Sequence, residues 1–481
     1  MSNKAIGKKV FSGIMWESST KLIIQIASWT STIIVARLLS PDDYGLVAIA
    51  GIFTGFLIII SELGLAQGLI NISKIEEIHM QTVFWLSLLF SFLLYLTLFI
   101  AAPYIADAYN EEEITSIIRV SASMLVFASL KVLPMAILMR DLRFKYTAMT
   151  QLVSQGVNII TVITLAYQGY GAWALIYSVI ASQIVQMFAF LPLLGKIPRF
   201  HISLKKTMPI IKFGFSIMGS RILEYITNQS TTFILSTSVS KTQVGYYNMS
   251  DTIANLPVNK IGTIFNKVTF PAVSRIKDDK QAVANLVLKL IKYLMIIVVP
   301  VFFTLLAITE ELVTFLLTEK WKPIVPFLQI LLVMNIFRIA GMLIPSVLNG
   351  LGLANIVFNF NLLSAILISL AVYIGLNWGM IIALFILAVT FAILQLFLMV
   401  LLFKKINLGL SKLFTTFMPS VIGGIGMLAI VFYMKPYFYD LSMEMRTIIV
   451  TSVALAFYGI YIFLLYGKDV LKDIASLRAN K

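Results

Sequence analysis

The chain has 481 residues, 59% of them hydrophobic and only 12% charged, with a mean hydropathy of +0.93 and a formal net charge of +15. Soluble domains average roughly 25% charged and 45–50% apolar residues, so a water-soluble core is excluded as the overall plan. Without cysteine there is no disulfide, thiolate-bound metal or thiol nucleophile, and with only His79 and His201, both in short loops, neither a metal centre nor a cofactor is expected.

The first ten residues, MSNKAIGKKV, are basic, but the apolar segment behind them runs too long for a signal peptide and lacks a small-residue cleavage site. It is expected to be an uncleaved first span. A hydrocarbon layer of ~30 Å takes about 20 helical residues, and apolar runs of that length recur along the chain. Spans are predicted at 10–36, 44–70, 80–106, 114–139, 145–167, 171–194, 208–238, 243–271, 283–308, 323–350, 355–375, 379–403, 412–434 and 445–466. The predicted fold class is an all-α polytopic membrane protein of about 14 transmembrane helices. The eighth span, TQVGYYNMSDTIANLPVNKIGTIFNKVTF, is the least hydrophobic.

Between the first two spans lies RLLSPDDYGLVAIAGIF, residues 37–53. Here Ser40 can cap the second helix, Pro41 suits its first turn, and Asp42 and Asp43 face the positive end of its dipole. Further on, TEELVTFLLTEKWK at 309–322 is expected to form a short amphipathic helix at the surface. Loop charge then orients the chain. The segments 71–79, 140–144, 195–207, 272–282, 351–354 and 404–411 fall on one side with both termini and carry most of the loop Lys and Arg, whereas DAYNEEE at 107–113 falls on the other. Basic residues are retained on the cytoplasmic face, so both termini are expected there. The net charge reflects this topology, and no nucleic-acid partner is expected.

Sliding the chain by 200 residues pairs Ser40 with Ser240, Gly45 with Gly245, Thr32 with Thr232, Ile34 with Ile234, Ile26 with Ile226 and Lys21 with Arg221. Agreement at one offset, without a gap, through a span, a turn and the next span indicates an internal repeat. Six spans separate the copies, so the repeat is parallel. Two six-helix lobes are predicted at 1–200 and 201–405, with two extra helices and a cytoplasmic tail at 406–481.

An ionisable side chain in the bilayer core costs at least ~2.5–3.5 kcal/mol on insertion scales, so such groups face protein or water. Span one carries a polar stripe of Glu17, Lys21, Gln25, Ser28 and Thr32; span seven has Arg221, Glu224, Asn228 and Thr231; span eight has Asn248, Asp251, Asn255 and Asn259. Glu62, Lys131 and Arg338 stand in spans two, four and ten. Lys21, Lys131, Arg221 and Arg338 fall near mid-depth and form the candidate anion-binding set, Arg offering forked donors that suit phosphate oxygens. Glu17, Glu62, Glu224 and Asp251 are candidate proton or Na⁺ sites. Structural readings stay open beside these. Glu17 with Lys21, and Arg221 with Glu224, read equally as structural pairs one turn apart. Gly45 and Gly245 read as close-packing points, and Lys212, Lys260, Lys267, Lys289, Lys292 and Arg119 as side chains snorkelling to the headgroups. No GxxxxGK[ST] motif is present and every loop is short, so nucleotide hydrolysis is not expected to drive the protein.

The run LLSPDDYGLVAIAGIFTGFLIIISELGLAQGLI, followed by LMRDLRFKY at 138–146 and GYGAWAL at 169–175, resembles the signature region of the polysaccharide transporter family. These are the oligosaccharide flippases of the multidrug/oligosaccharidyl-lipid/polysaccharide superfamily, and the likeness is to the colanic-acid and teichuronic-acid exporter branch. The resemblance implies two lobes that alternate between inward and outward openings in a bacterial cytoplasmic membrane. Their substrate would be an undecaprenyl-diphosphate-linked sugar repeat unit, used with a glycan polymerase and glycosyltransferases of the same pathway, and the transporter would be a monomer without enzymatic activity. On that reading the diphosphate docks on Arg221 and Lys21, with Lys131 and Arg338 in the same set, while Gln25, Asn228 and Asn255 line the glycan path.

Three other classes share part of this pattern, one of them a non-transporting assembly scaffold, for which charge buried on several helices would be costly without use. A cation- or proton-coupled multidrug antiporter of the same superfamily would present an acidic cavity, and a membrane-embedded polysaccharide polymerase would bring a sizeable outer loop with catalytic groups.

Overall fold

The computed structural model describes residues 3–438 and 440–479. In chain order its helices are α1 (Asn3–Leu38), α2 (Pro41–Ser61), α3 (Leu65–Asn71), α4 (Glu77–Tyr109), α5 (Glu113–Arg140), α6 (Phe144–Tyr167), α7 (Ala172–Phe190) and α8 (Leu204–Ser238). They continue with α9 (Lys241–Ile276), α10 (Lys280–Ala307), α11 (Thr309–Leu317), α12 (Val325–Gly350), α13 (Ala354–Gly375), α14 (Met380–Lys405), α15 (Leu410–Met434) and α16 (Met443–Ala479). Among the described residues there is no strand. The fold is all-α and polytopic, as the hydropathy pattern predicts. Twelve spans among the described residues are long and apolar enough to cross a membrane. The long helices α8 and α9 fall outside that set because they carry the densest polar stripes, which only protein neighbours or water can accommodate.

By contact the chain divides into two compact units, residues 1–248 and 249–481, with the division inside α9. In the first unit α4 packs on α5, α6 on α7 and α1, and α8 lies against α2, α3 and α4.

The start of α2 is fixed by a capping box. The Ser40 amide donates to Asp43 Oδ2 at 2.7 Å and the Asp43 amide returns to Ser40 Oγ at 3.3 Å, with Pro41 in the first turn. Asp43 also reaches a second helix, since its Oδ1 accepts from the amide of Ala172 at 2.8 Å and satisfies an orphan donor at the start of α7. Thus the LSPDDYGL and GYGAWAL segments, far apart in sequence, close on each other. At the other end of α2 the chain breaks at Leu63 and Gly64, both left-handed at φ 47° and 60°, before restarting as α3. There Arg140 donates to the carbonyls of Leu69 at 3.2 Å and of Ile72 and Ser73 at 2.7 Å, capping the C-terminal end of α3. This joins ELGLAQGLI to LMRDLRFKY.

The repeated turn meets its own copy inside the first unit. A Cβ on Gly45 would strike the carbonyl oxygen of Lys241, and one on Gly245 would strike that of Pro41. Position 41 plus 200 is 241, and 45 plus 200 is 245, so each copy does to the other what is done to it. Such reciprocity marks a local two-fold relation between the copies. The close-packing reading of these glycines is therefore the one the structure supports. A second close approach lies at the α2–α3 break, where a Cβ on Gly64 would meet the carbonyl of Gly214.

In the second unit α12 packs on α14 and α10, and α15 on α10 and α16. The segment expected as a surface helix is more deeply seated than its pattern indicated. After α11, a 3₁₀ turn at Glu319–Ile324 buries Trp321 completely, and Glu311 is 7% exposed and ion-paired with Lys435. An indole of that size drives the turn inward, and the acid follows because a cation waits for it.

Candidate functional site

Three charged side chains from three helices gather in the first unit. The α2–α3 break supplies Glu62, α8 supplies Arg221 and α5 supplies Lys131. Arg221 NH1 lies 2.8 Å from Glu62 Oε2, and the side chains keep 42% and 38% of their surface exposed. That exposure leaves the pair outside the packed protein interior. With the Gln67 amide turned to satisfy both of its ends, its oxygen accepts from Arg221 NH2 at 3.0 Å and its nitrogen donates to Gly64 O at 3.3 Å. The intrahelical alternative, Arg221 with Glu224, is not what forms. Glu224 is exposed, and the carboxylate one turn along α8 loses Arg221 to the carboxylate presented at the end of α2.

Lys131 is held differently. Its ammonium donates to Gln183 Oε1 and, at 2.9 Å, to Gln186 Oε1, both on α7, and Gln186 in turn donates to Ser154 Oγ on α6 at 3.1 Å. Glu62 lies within Coulombic reach of Lys131 without ion-pairing to it. Around Glu62 there are thus two cations and one anion, a formal charge of +1. The nearest ligands of Lys131 are neutral carbonyl oxygens, which solvate an ammonium without cancelling its charge.

Beside this cluster, Gln155 on α6 donates to Ser28 Oγ at 3.2 Å and to Asn158 Oδ1 at 3.4 Å, drawing the polar stripe of α1 into the same unit. Lys21 is exposed on α1, Gln25 is half-buried and Asn228 on α8 is exposed. The side chains of Glu17 and Asn259 lie outside the described residues. Tyr225, one turn beyond Arg221, donates to the carbonyls of Gly51 at 3.1 Å and Ile52 at 2.8 Å and fastens α8 to α2.

Near the turn that holds Gly45 and Gly245, Thr242 Oγ1 donates to Asp42 Oδ1 at 2.6 Å, and Lys241 Nζ lies 2.7 Å from Glu111 Oε2. The Glu111 carboxylate holds the Lys241 ammonium above the ordinary lysine range. Tyr109 and Ser236 share a hydrogen bond at 3.1 Å close by.

The second unit has a separate polar cluster. Arg338 NH1 donates to Asn255 Oδ1 at 3.1 Å, and Asn255 Nδ2 donates to Asp251 Oδ1 at 2.7 Å, so the amide bridges a cation to an anion. Asn335, fully buried on α12, donates to Asn255 Oδ1 at 3.3 Å and to Ala254 O at 2.9 Å. This cluster is formally neutral.

Several of these residues escape a reading of the sequence. Gln183, Gln186 and Asn335 are uncharged polar residues in largely apolar spans. The one available signal was the i, i+3 spacing of Gln183 and Gln186, which puts both on one face of α7.

A bundle of long apolar helices, with ionisable groups held between helices by amides and opposite charges, defines a multi-pass membrane protein of the transporter kind. The family follows from the match: residues 34–326 fit the polysaccharide biosynthesis protein family, and the chain belongs to it. It is 25% identical over 379 residues to the lipopolysaccharide biosynthesis protein WzxC of Escherichia coli (strain K12), covering 77% of this chain and 76% of that one. To the succinoglycan biosynthesis transport protein ExoT of Rhizobium meliloti (strain 1021) it is 25% identical over 371 residues, covering 76% and 74%. Its fold is shared with the lipid II flippase MurJ in an inward closed conformation, at a TM-score of 0.74 and 15% identity, over 95% of this chain and all of that one.

Proposed function

We propose that this protein translocates a polyprenyl-diphosphate-linked oligosaccharide repeat unit across a bacterial cytoplasmic membrane by alternating access, both termini being cytoplasmic, and that the unit serves surface polysaccharide synthesis. The observation that supports the reading is the Lys131 amine, which donates to neutral glutamine oxygens on α7 beside an Arg221 already matched by Glu62. A cation without a carboxylate partner in a membrane-spanning helix is costly, and a diphosphate is the kind of ligand that repays the cost.

In this reading Lys131 receives the diphosphate first. Arg221 joins when the anion competes with Glu62, and Gln183 and Gln186 exchange the ammonium for sugar hydroxyls or phosphate oxygens. Lys21 and Gln25 on α1 and Asn228 on α8 extend the polar path, and Arg338 with Asn255 offers the same chemistry within the second unit. Glu62 and Asp251 are the carboxylates whose protonation would release their cations, which makes them the candidate coupling groups, with Glu17 and Glu224 as further acids of the same stripes. The lobes expected at 1–200 and 201–405 belong to the same proposal.

The test is a deletion strain complemented with K131A or K131E and assayed for surface polysaccharide together with lipid-linked sugar in the membrane. Loss of the first and accumulation of the second, at normal protein level, is the expected result. Full export by K131E would remove Lys131 from the mechanism.

A further inference from the structure

The segment that joins α7 to α8 carries chemistry that transport does not use. From 142 to 223 the sequence has no aspartate or glutamate, and within it Lys196, Arg199, His201, Lys205, Lys206 and Lys212 crowd into seventeen residues. All six are exposed, and none of them takes part in an ion pair among the described residues. Between them stand Ile197, Phe200, Leu204 and Met208, exposed by 71, 67, 51 and 46%.

The backbone of this segment is nevertheless held in place. Trp85 Nε1 on α4 donates to the carbonyl of Pro198 at 2.9 Å, its ring meets Phe200 edge-on at 5.1 Å, and the Ser203 amide donates to Thr82 Oγ1 at 3.0 Å. A pinned main chain thus displays a fixed outer surface of alternating cations and large apolar groups. Tyr146 donates to Ala189 O at 2.6 Å, which brings Arg143 and the exposed Lys145 at the start of α6 to the same end of the helices. The nearby carboxylates at this end, Glu76, Glu77 and Asp141, all lie outside the segment, and Glu77 is engaged with Gln81.

Water alone gives no reason to expose four large apolar side chains between cations. The headgroup layer of a membrane accommodates both: cations meet phosphate oxygens, and the apolar groups enter the acyl boundary. We propose that residues 196–212 form a docking surface for anionic phospholipid headgroups, with Lys196, Arg199, Lys205 and Lys206 as the phosphate-binding side chains. The proposal stands apart from the transport reading, since it concerns the surrounding lipid and not the cargo.

Because the chain lacks cysteine, a single label can be placed at will. The full chain carrying H201C is labelled with a fluorophore and reconstituted in nanodiscs with trace spin-labelled phosphatidylglycerol or phosphatidylcholine as quencher. Phosphatidylglycerol is expected to quench at least about fivefold more effectively, and the preference should collapse at about 1 M salt, where the Debye length is near 3 Å. It should also collapse in the K196Q/R199Q/K205Q/K206Q variant, and a label at Y170C, at the other end of α7, should show none. The salt titration on the otherwise unmodified chain decides the matter even if that variant folds poorly. Equal quenching by both lipids at H201C, or a preference that survives salt, overturns the proposal, as does an equal preference at Y170C.

Discussion

Thr242 donates a 2.6 Å hydrogen bond to Asp42, its own counterpart 200 residues earlier in the chain. Together with the reciprocal approach of Gly45 to Lys241 and of Gly245 to Pro41, this bond makes the repeated turn a self-complementary contact. Holding it shut is expected to stop transport. In the cysteine-free chain, the pair D42C/T242C should cross-link under mild oxidation and block export, with activity returning on reduction. Cross-linking that leaves export unchanged would mean that the contact never opens in the cycle.

The same crossing leaves no room for a side chain on either glycine. G45V and G245V each place atoms on a carbonyl oxygen of the other copy, so both are expected to destabilise the first unit by an overpacking cost of about 1–3 kcal/mol. The double variant should cost less than the sum, since each single change already separates the helices. Thermal unfolding in detergent measures this, and strictly additive shifts would argue against a shared crossing.

For Arg221 and Glu62, partial exposure decides the magnitude. A fully buried pair broken on one side costs about 3–5 kcal/mol, but side chains that keep 42% and 38% of their surface should show a coupling of roughly 1 kcal/mol. In a double-mutant cycle with R221A and E62A, a stability coupling near zero would mean that the 2.8 Å contact contributes nothing. The R221E/E62R exchange should recover stability without recovering export, because it moves the guanidinium from α8 to the end of α2.

Lys131 gives the sharpest functional contrast. K131R retains the charge but not the fit to Gln183 and Gln186, whereas K131M retains the length and loses the charge. Export is expected to fall more than about tenfold in K131M, the effect of losing roughly 1.4 kcal/mol or more of binding to the anion, and less in K131R. Rates of polysaccharide release per unit of protein in the membrane provide the measure. Equal activity of K131M and the unaltered chain would show that the charge is dispensable.

Arg140 is a structural clamp. R140A leaves three carbonyl oxygens at the end of α3 without their donor and is expected to cost about 1.5–3 kcal/mol, with R140K recovering part of it because one ammonium cannot span the fork. Hydrogen exchange around residues 69–73 should accelerate in R140A, and unchanged protection there would contradict the assignment.

Read alone, the sequence determined the membrane class, the all-helical fold, the capped turn at Ser40 and the repeat. Each of these is written locally, in apolar runs of fixed length, in the cap chemistry of four residues, or in a pattern that returns at one offset. It also singled out the ionisable residues, because any charge inside a membrane span is conspicuous. Partnership was decided only by tertiary structure. Arg221 had Glu224 one turn away, yet bonds Glu62, which is 159 residues distant and arrives because the chain breaks at Leu63 and Gly64. For Lys131 the i, i+3 spacing of Gln183 and Gln186 marks a shared polar face on α7, but which charge that face meets is settled only when α7 packs on α5. A helix fixes which side chains share a face; which neighbour meets that face depends on how helices distant in sequence come together.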